Sequence, residues 1–466
     1  MFVIYLLHVA IALALLWALS SGRQALLRVT GFVLPLSGLV IASGVGWSWV
    51  KVIPGILMVG ALVMPGGRDL RALPGRRALV VLACWAVAVT TWFRVFDFEL
   101  VGLMELASQY GWGPAQNEFR HLVQFVVQVG QWLIFLAAFR LSASASDGRA
   151  AADGFIAGNV FSVTVGFYQA AAQGMGLPWL SSEDGGELSG HLGTANLRGN
   201  TLGVGPLQLA RLYGLGGEPK HTAALAVMAI GLLLQRDLGE SKETSRSRYH
   251  RPMLLVLLLG VALTLSTSGW VALVILTVVM TSISSLTRIG NALARRQVLR
   301  FGVNLLLGIG AVVLLSTQLG DADREGLLEN RLAGRLSSIE RVARFEPKDA
   351  TAITLLLDRP WLLVTGCGVG GVDFFALLYN ERIDIGPGAM LTPTYFLTRT
   401  VSEVGVVGLA MVLSILVAIS SRSSREMGSF FAALAPLTLV QPMLALPAFL
   451  FLAGTQIGPR VERDVG

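Results

Sequence analysis

Charge is what this chain has least of. Acidic and basic side chains make up 14% of its 466 residues and the mean hydropathy is +0.66, whereas soluble domains carry about 25% charged residues. That is too little polar surface to cover a soluble globule. Cysteine is almost missing: Cys84 and Cys367 are the only two, which excludes a disulfide framework and a cysteine-based metal site. No Walker A sequence, zinc-ligand pattern, nucleophile elbow, internal repeat or low-complexity tract occurs. The short alternating strands of a membrane barrel are also absent. The net charge of +7 does not point to nucleic acid, because the basic residues gather in short loops between apolar segments, which is a topology signal.

What the chain has in abundance is apolar segments of spanning length, roughly 20 residues each. About twelve are read, at 2–19, 29–47, 50–66, 78–96, 120–139, 152–172, 221–235, 252–267, 269–286, 301–317, 401–420 and 428–454. The expected fold is therefore all-α and polytopic. The first segment has no basic residue before it, is followed by Arg23 and lacks a small-residue cleavage site, so it reads as a retained span. Arg68, Arg71, Arg76 and Arg77 share one short loop. Arg236, Lys242, Arg246, Arg248 and Arg251 share a second, and Arg288, Arg295, Arg296 and Arg300 a third. Basic short loops face the cytoplasm, which puts the amino terminus, the loop 97–118, the loop 172–220 and the stretch 317–401 on the outer side. In a bacterium with two membranes that side is periplasmic. The organisation expected is a membrane region 1–316, a large outer loop 317–401, and closing spans in 402–466, where Pro442 and Pro447 interrupt the last apolar segment.

The stretch 317–401 has ordinary polar composition and carries nine basic residues. Leu332, Leu336, Ile339 and Ala343 recur at helical spacing and predict an amphipathic helix over Arg331–Phe345. Arg331 and Arg335 sit one turn apart beside that stripe, where a planar guanidinium can fork onto a phosphate at any working pH. Arg341 and Arg344 point elsewhere and read as a solvated face. A second helix is expected to start at Pro347 and stop at Asp358, because Pro360 disfavours helix at Arg359. Gly366, Gly368 and Gly371 literally satisfy G-x-G-x-x-G, but no βαβ unit surrounds them. A tight connection permitted by missing Cβ atoms is the preferred reading over an anion cradle.

Four stretches resemble the O-antigen ligase and O-antigen polymerase family. The segment Asp358-Arg359-Pro360-Trp361-Leu362-Leu363-Val364-Thr365-Gly366-Cys367-Gly368 is similar to the family's E-R-P-L-x-G-x-G stretch. Tyr395 follows, and Ser402-Glu403-Val404-Gly405-Val406-Val407-Gly408-Leu409 is similar to its E-x-G-x-x-G-L opening of the next span. His191 to Asn200 resembles a G-T-x-x-N-x-N loop, and Leu265 to Trp270 a T-x-S-R-G segment. Here Ser268 passes directly to Gly269, and Thr392-Pro393-Thr394-Tyr395 stands where many ligases have His-Asn. The lost histidine favours the polymerase branch.

The resemblance implies transfer of a glycan from an undecaprenyl diphosphate carrier to a glycan or lipid hydroxyl, without metal or cofactor. Arg335, Arg331 and Arg198 would neutralise the leaving lipid diphosphate. His191 is the first choice for a general base because its pKa suits the task, with Glu403, Asp373 and Asp384 as alternatives. Tyr395, Gly366 and Gly368 fall on the substrate side. Expected partners are the lipid-linked glycan, its acceptor, membrane lipids, and proteins of polysaccharide export or chain-length control. A lipid or polysaccharide transporter is the rival reading, and it would carry ionisable residues along a path through the bundle. A non-catalytic scaffold whose arginines bind anionic headgroups is a third.

Overall fold

The computed structural model describes residues 2–42, 47–96, 114–175, 201–204, 207–210, 212–216, 219–239, 250–264, 266, 269–270, 272–274, 276–277, 347–372, 375–376, 393, 396–422 and 446–457. Helices dominate: α1 (Phe2–Ser21), α2 (Arg23–Val33), α3 (Trp49–Val63), α4 (Arg76–Phe96), α5 (Pro114–Leu141), α6 (Ala145–Met175), α7 (Pro219–Gly239), α8 (His250–Leu263), α9 (Pro347–Asp358), α10 (Pro360–Thr365), α11 (Phe396–Arg422) and α12 (Leu446–Gln456). Two small antiparallel hairpins depart from a purely helical chain, β1 (Val40–Ala42) with β2 (Trp47–Ser48), and β3 (Thr201–Val204) with β4 (Leu207–Ala210).

The first hairpin corrects the expected span at 29–47. Helix α2 ends at Val33 and passes into a 3-10 turn, Leu34–Leu36, because Pro35 has no N–H to continue the ladder. Gly38 then donates to the Leu215 carbonyl at 2.8 Å, and the chain returns through β1 and β2. Elsewhere boundaries shift. Helix α6 starts at Ala145 rather than at 152, behind a reciprocal cap: Ser144 N donates to Asp147 Oδ2 at 2.9 Å and Asp147 N to Ser144 Oγ at 3.3 Å. Such a capping box satisfies two otherwise orphaned amides.

Helices α2 and α6 pack at backbone distance. A Cβ on Gly154 would lie 1.9 Å from the Arg28 carbonyl oxygen, and one on Gly158 would lie 2.2 Å from that of Phe32. Gly154-Phe155-Ile156-Ala157-Gly158 is a G-x-x-x-G stripe of the kind that lets helices approach closely in lipid. Helix α12 is buried from Leu446 to Thr455 and packs on α5. Residues Ala223–Leu234 of α7 are likewise buried.

Two helical segments among the described residues, Ala145–Ala172 and Phe396–Ile419, are long and apolar enough to cross a bilayer, and α1, α3, α5, α8 and α12 contain shorter apolar stretches. Leu6, Val9, Leu13, Leu16 and Trp17 of α1 are each more than half exposed, as are Val59, Leu62 and Val63 of α3. Outward apolar faces of this extent belong against something other than water, and they give the protein membrane character.

One end of the bundle is basic and tied by arginine. Arg23 Nη1 donates to the Gly66 carbonyl, and Arg68 Nη1 to that of Ile457. Arg140 Nε donates to Ala61 O at 2.8 Å, and the Arg68 guanidinium stacks 5.5 Å over the Phe139 ring. The loop bearing Arg71, Arg76 and Arg77 continues from this knot.

Candidate functional site

Away from that basic end, midway along α4 and α5, side chains gather around Glu403. Helix α11 is not straight: Gly405 adopts φ 70° and ψ −177° within it, a conformation open to glycine alone among the residues at hand. The break frees carbonyls that a continuous helix would use internally, and other elements take them. Cys367 N donates to Ser402 O at 2.7 Å, and Trp85 Nε1 of α4 donates to Val404 O at 2.9 Å. Two separate stretches of chain therefore cross in backbone contact. A Cβ on Gly405 would lie 2.0 Å from Val364 O, and one on Gly366 would lie 2.4 Å from the Glu403 carbonyl carbon.

The glycine turn after α10 is built for this crossing. Gly366, Gly368 and Gly370 all have positive φ, between 71° and 77°. Most of its amides are committed inside the protein: Gly366 N to Leu362 O at 2.7 Å, Val369 N to Thr90 Oγ1 at 3.0 Å, Gly370 N to Glu403 Oε1 at 3.3 Å, and Gly371 N to Gly368 O at 3.0 Å. With those donors taken, the turn serves as a close connection, the reading preferred from sequence. Gly368 abuts Thr90 of α4, with a built Cβ only 3.0 Å from its Cα.

The Glu403 side chain is buried, and its Oε1 accepts from three donors: Gln128 Nε2 of α5 at 2.7 Å, Arg399 Nε at 3.0 Å, and the Gly370 amide. Arg399 and Glu403 form an i,i+4 ion pair, side chains 12% and 7% exposed, where screening by water is weak. The nearby Cys367 thiol is held well above its ordinary range, first by burial and second by the Glu403 charge. A mostly apolar cavity of about 400 Å³ opens beside the pair, walled by α4, α5, α11, Val369 of the glycine turn and the first residue of α12.

The position along the bundle follows from helix rise. Gln128 lies twelve residues from Arg140, so about 18 Å at 1.5 Å per residue separates the Glu403 cluster from the basic end. A Cβ on Gly75 would touch Ile415 and Ala418, which puts Glu403 a comparable distance up α11. The glycine turn thus lies well apart, along the bundle, from the loop bearing Arg71, Arg76 and Arg77.

Of the residues singled out from sequence, Glu403, Gly366 and Gly368 meet here. His191, Arg198, Arg331, Arg335 and Tyr395, with Asp373 and Asp384, lie outside the described residues. So does the helix expected over Arg331–Phe345. Two members of the cluster were missed. Arg399 could have been found from its i,i+4 spacing to Glu403, whereas Gln128, 275 residues away, left no local signal. No group of three or more His, Cys, Asp and Glu side chains suited to a metal ion occurs among the described residues. Compared with models of known protein families and with curated protein sequences, the chain matches none.

Proposed function

We propose that the chain is a multi-pass bacterial inner-membrane enzyme of the O-antigen ligase and polymerase kind, which moves a glycan from an undecaprenyl diphosphate carrier to a hydroxyl of a glycan or lipid acceptor. The observation that carries this reading is the crossing of Val364–Gly368 with Ser402–Gly405. Those are the two stretches whose sequences carry the resemblance most fully, and their meeting around a buried, hydrogen-bonded glutamate gives them a joint purpose. In this reading most of the apolar segments of spanning length cross the bilayer, 29–47 not as one long helix. The glycine turn lies towards the periplasmic side, opposite the basic loops.

The reaction joins the acceptor oxygen to the anomeric carbon and breaks that carbon's bond to the diphosphate. The acceptor proton passes to a base, for which His191 is the first choice, and the lipid diphosphate departs. Arg335, Arg331 and Arg198 neutralise its charge, so neither metal nor nucleotide is called for. The missing His-Asn before Tyr395 makes the polymerase branch the better fit. A lipid or polysaccharide transporter is the second reading. It is favoured by one observation, the buried Arg399–Glu403 pair lining an apolar cavity, since ionisable groups inside a bundle mark transport paths.

The arginine pair on the expected amphipathic helix tests the enzyme reading. Arg335→Ala should lower transfer on the order of a hundredfold or more, the usual cost of removing an anion-stabilising donor. Arg335→Lys, which keeps charge but loses the fork, should recover little, and Arg344→Ala should stay near wild type. Compared at equal amounts of folded protein, wild-type transfer by Arg335→Ala together with a dead Arg344→Ala would reverse the assignment of the helix face.

A further inference from the structure

The cavity beside Glu403 is apolar over most of its wall, with Leu82, Ala86, Trp132 and Phe396 among its lining. Its polar lining is Gln128, Gln131, Arg399, Thr400 and Glu403, of which Gln128 and Arg399 meet at the Glu403 carboxylate. Glu403 commits only Oε1 to its three donors. Among the described residues nothing donates to Oε2, and nothing accepts from the two terminal nitrogens of Arg399. The chamber thus offers one carboxylate acceptor and a guanidinium fork side by side, within a pair whose charges cancel.

This arrangement selects by charge. A phosphate head would be drawn to Arg399 but would face Glu403. An ammonium head would meet the reverse, and either would leave a net charge in apolar surroundings. A neutral head with vicinal hydroxyls has neither fault: one hydroxyl donates to Oε2 while the oxygen of its neighbour accepts from the Arg399 fork. The attached alkyl chain would lie along the aliphatic wall, and Trp132 and Phe396 offer flat apolar surface to the head's C–H face. A volume of about 400 Å³ falls within the usual range of small-ligand sites, about 300–1,000 Å³.

We infer that this cavity is a binding site for a neutral amphiphile whose head carries a vicinal diol, held between Glu403 Oε2 and the terminal nitrogens of Arg399. A sugar head or a glycerol head has this chemistry. The inference goes beyond glycan transfer and does not require it.

The test uses octyl β-D-glucoside with a photoreactive diazirine in its chain, irradiated with the full chain in phosphatidylcholine nanodiscs free of glycoside detergent. Adducts mapped by mass spectrometry should fall on the cavity wall of α4, α5 and α11. Unlabelled octyl glucoside or 1-monooctanoylglycerol should compete them away, and whichever competes at lower concentration identifies the sugar or the glycerol source. Octyl phosphate and octyltrimethylammonium should compete about tenfold less well, the loss expected when a hydrogen bond to a charged group is removed. Arg399→Gln should weaken labelling by about the same factor. Ala86→Phe, at a half-buried position on the cavity wall that packs against the core, narrows the chamber without touching the ion pair and should abolish it. Adducts spread over the lipid-facing surface without competition would overturn the inference, as would competition by octyl phosphate equal to that by octyl glucoside. The competition series on the wild-type chain decides the matter even where a variant fails to fold.

Discussion

Replacing Gly405 by alanine tests whether the crossing of the two motif stretches holds the molecule together. Two costs follow from the structure. Alanine at φ 70° and ψ −177° occupies a region that is essentially glycine-only, worth about 1–3 kcal/mol of strain. Its methyl would also lie 2.0 Å from the Val364 carbonyl oxygen and 2.5 Å from its carbon. That atom is backbone pinned beside the Cys367–Ser402 hydrogen bond, so relief requires moving one strand of the crossing, at about 1–3 kcal/mol. The sum, about 2–6 kcal/mol, is a large share of a typical folding free energy of about 5–15 kcal/mol. The control is Gly55→Ala in α3, where an added Cβ meets nothing within 4 Å and a helix-interior alanine should gain up to about 1 kcal/mol. The assay is the half-life of monodisperse, folded protein in detergent at a fixed elevated temperature, a rate that remains defined when unfolding is irreversible. Gly405→Ala should shorten it severely while Gly55→Ala holds or lengthens it. Equal half-lives for Gly405→Ala and wild type would refute the close crossing.

Two further expectations concern chemistry and orientation. Because burial and then Glu403 raise the Cys367 pKa, its thiolate is suppressed. Iodoacetamide should leave it unmodified as the pH climbs through the ordinary thiol range near about 8.5, and label it promptly once the protein is unfolded. A folded-state pKa raised in this way contributes stability that is present below the unfolded value and lost as pH rises beyond it, so rapid alkylation of the native protein at pH 9 would contradict the burial. In intact cells, an impermeant thiol reagent should label Ser337→Cys and spare Ser245→Cys in a background lacking native cysteines. The opposite pattern would invert the orientation drawn from the basic loops.

Much of this architecture is written locally in the chain, and what is not local escapes a reading of sequence. Helix α9 runs from Pro347 to Asp358, the bounds expected from a proline at a first helical position and from Pro360 beyond the end. The break between α9 and α10 at Arg359 follows from the same proline. By contrast, the segment 29–47 is apolar enough to look like a span. Hydropathy counts transfer cost and is blind to Pro35, which ends the helical run. The Gly154-x-x-x-Gly158 stripe and the Ser144–Asp147 box were available as local signals for the packing and start of α6. The kink at Gly405 was not, since the family-like E-x-G pattern gives no dihedral angle. Glu403 was legible as a residue of interest, but its hydrogen bonds to Gln128 and Gly370 depend on tertiary packing.

The central claim, that this membrane protein makes a glycosidic bond with the energy of a lipid diphosphate, meets its most direct test in proteoliposomes holding the purified chain and an undecaprenyl-diphosphate-linked oligosaccharide. With EDTA present and no nucleotide added, a longer or newly attached glycan should appear together with free undecaprenyl diphosphate in equal amounts. Movement of the intact lipid-linked oligosaccharide across the bilayer, with no new glycosidic bond and no released diphosphate, would contradict the claim and establish the transporter reading in its place.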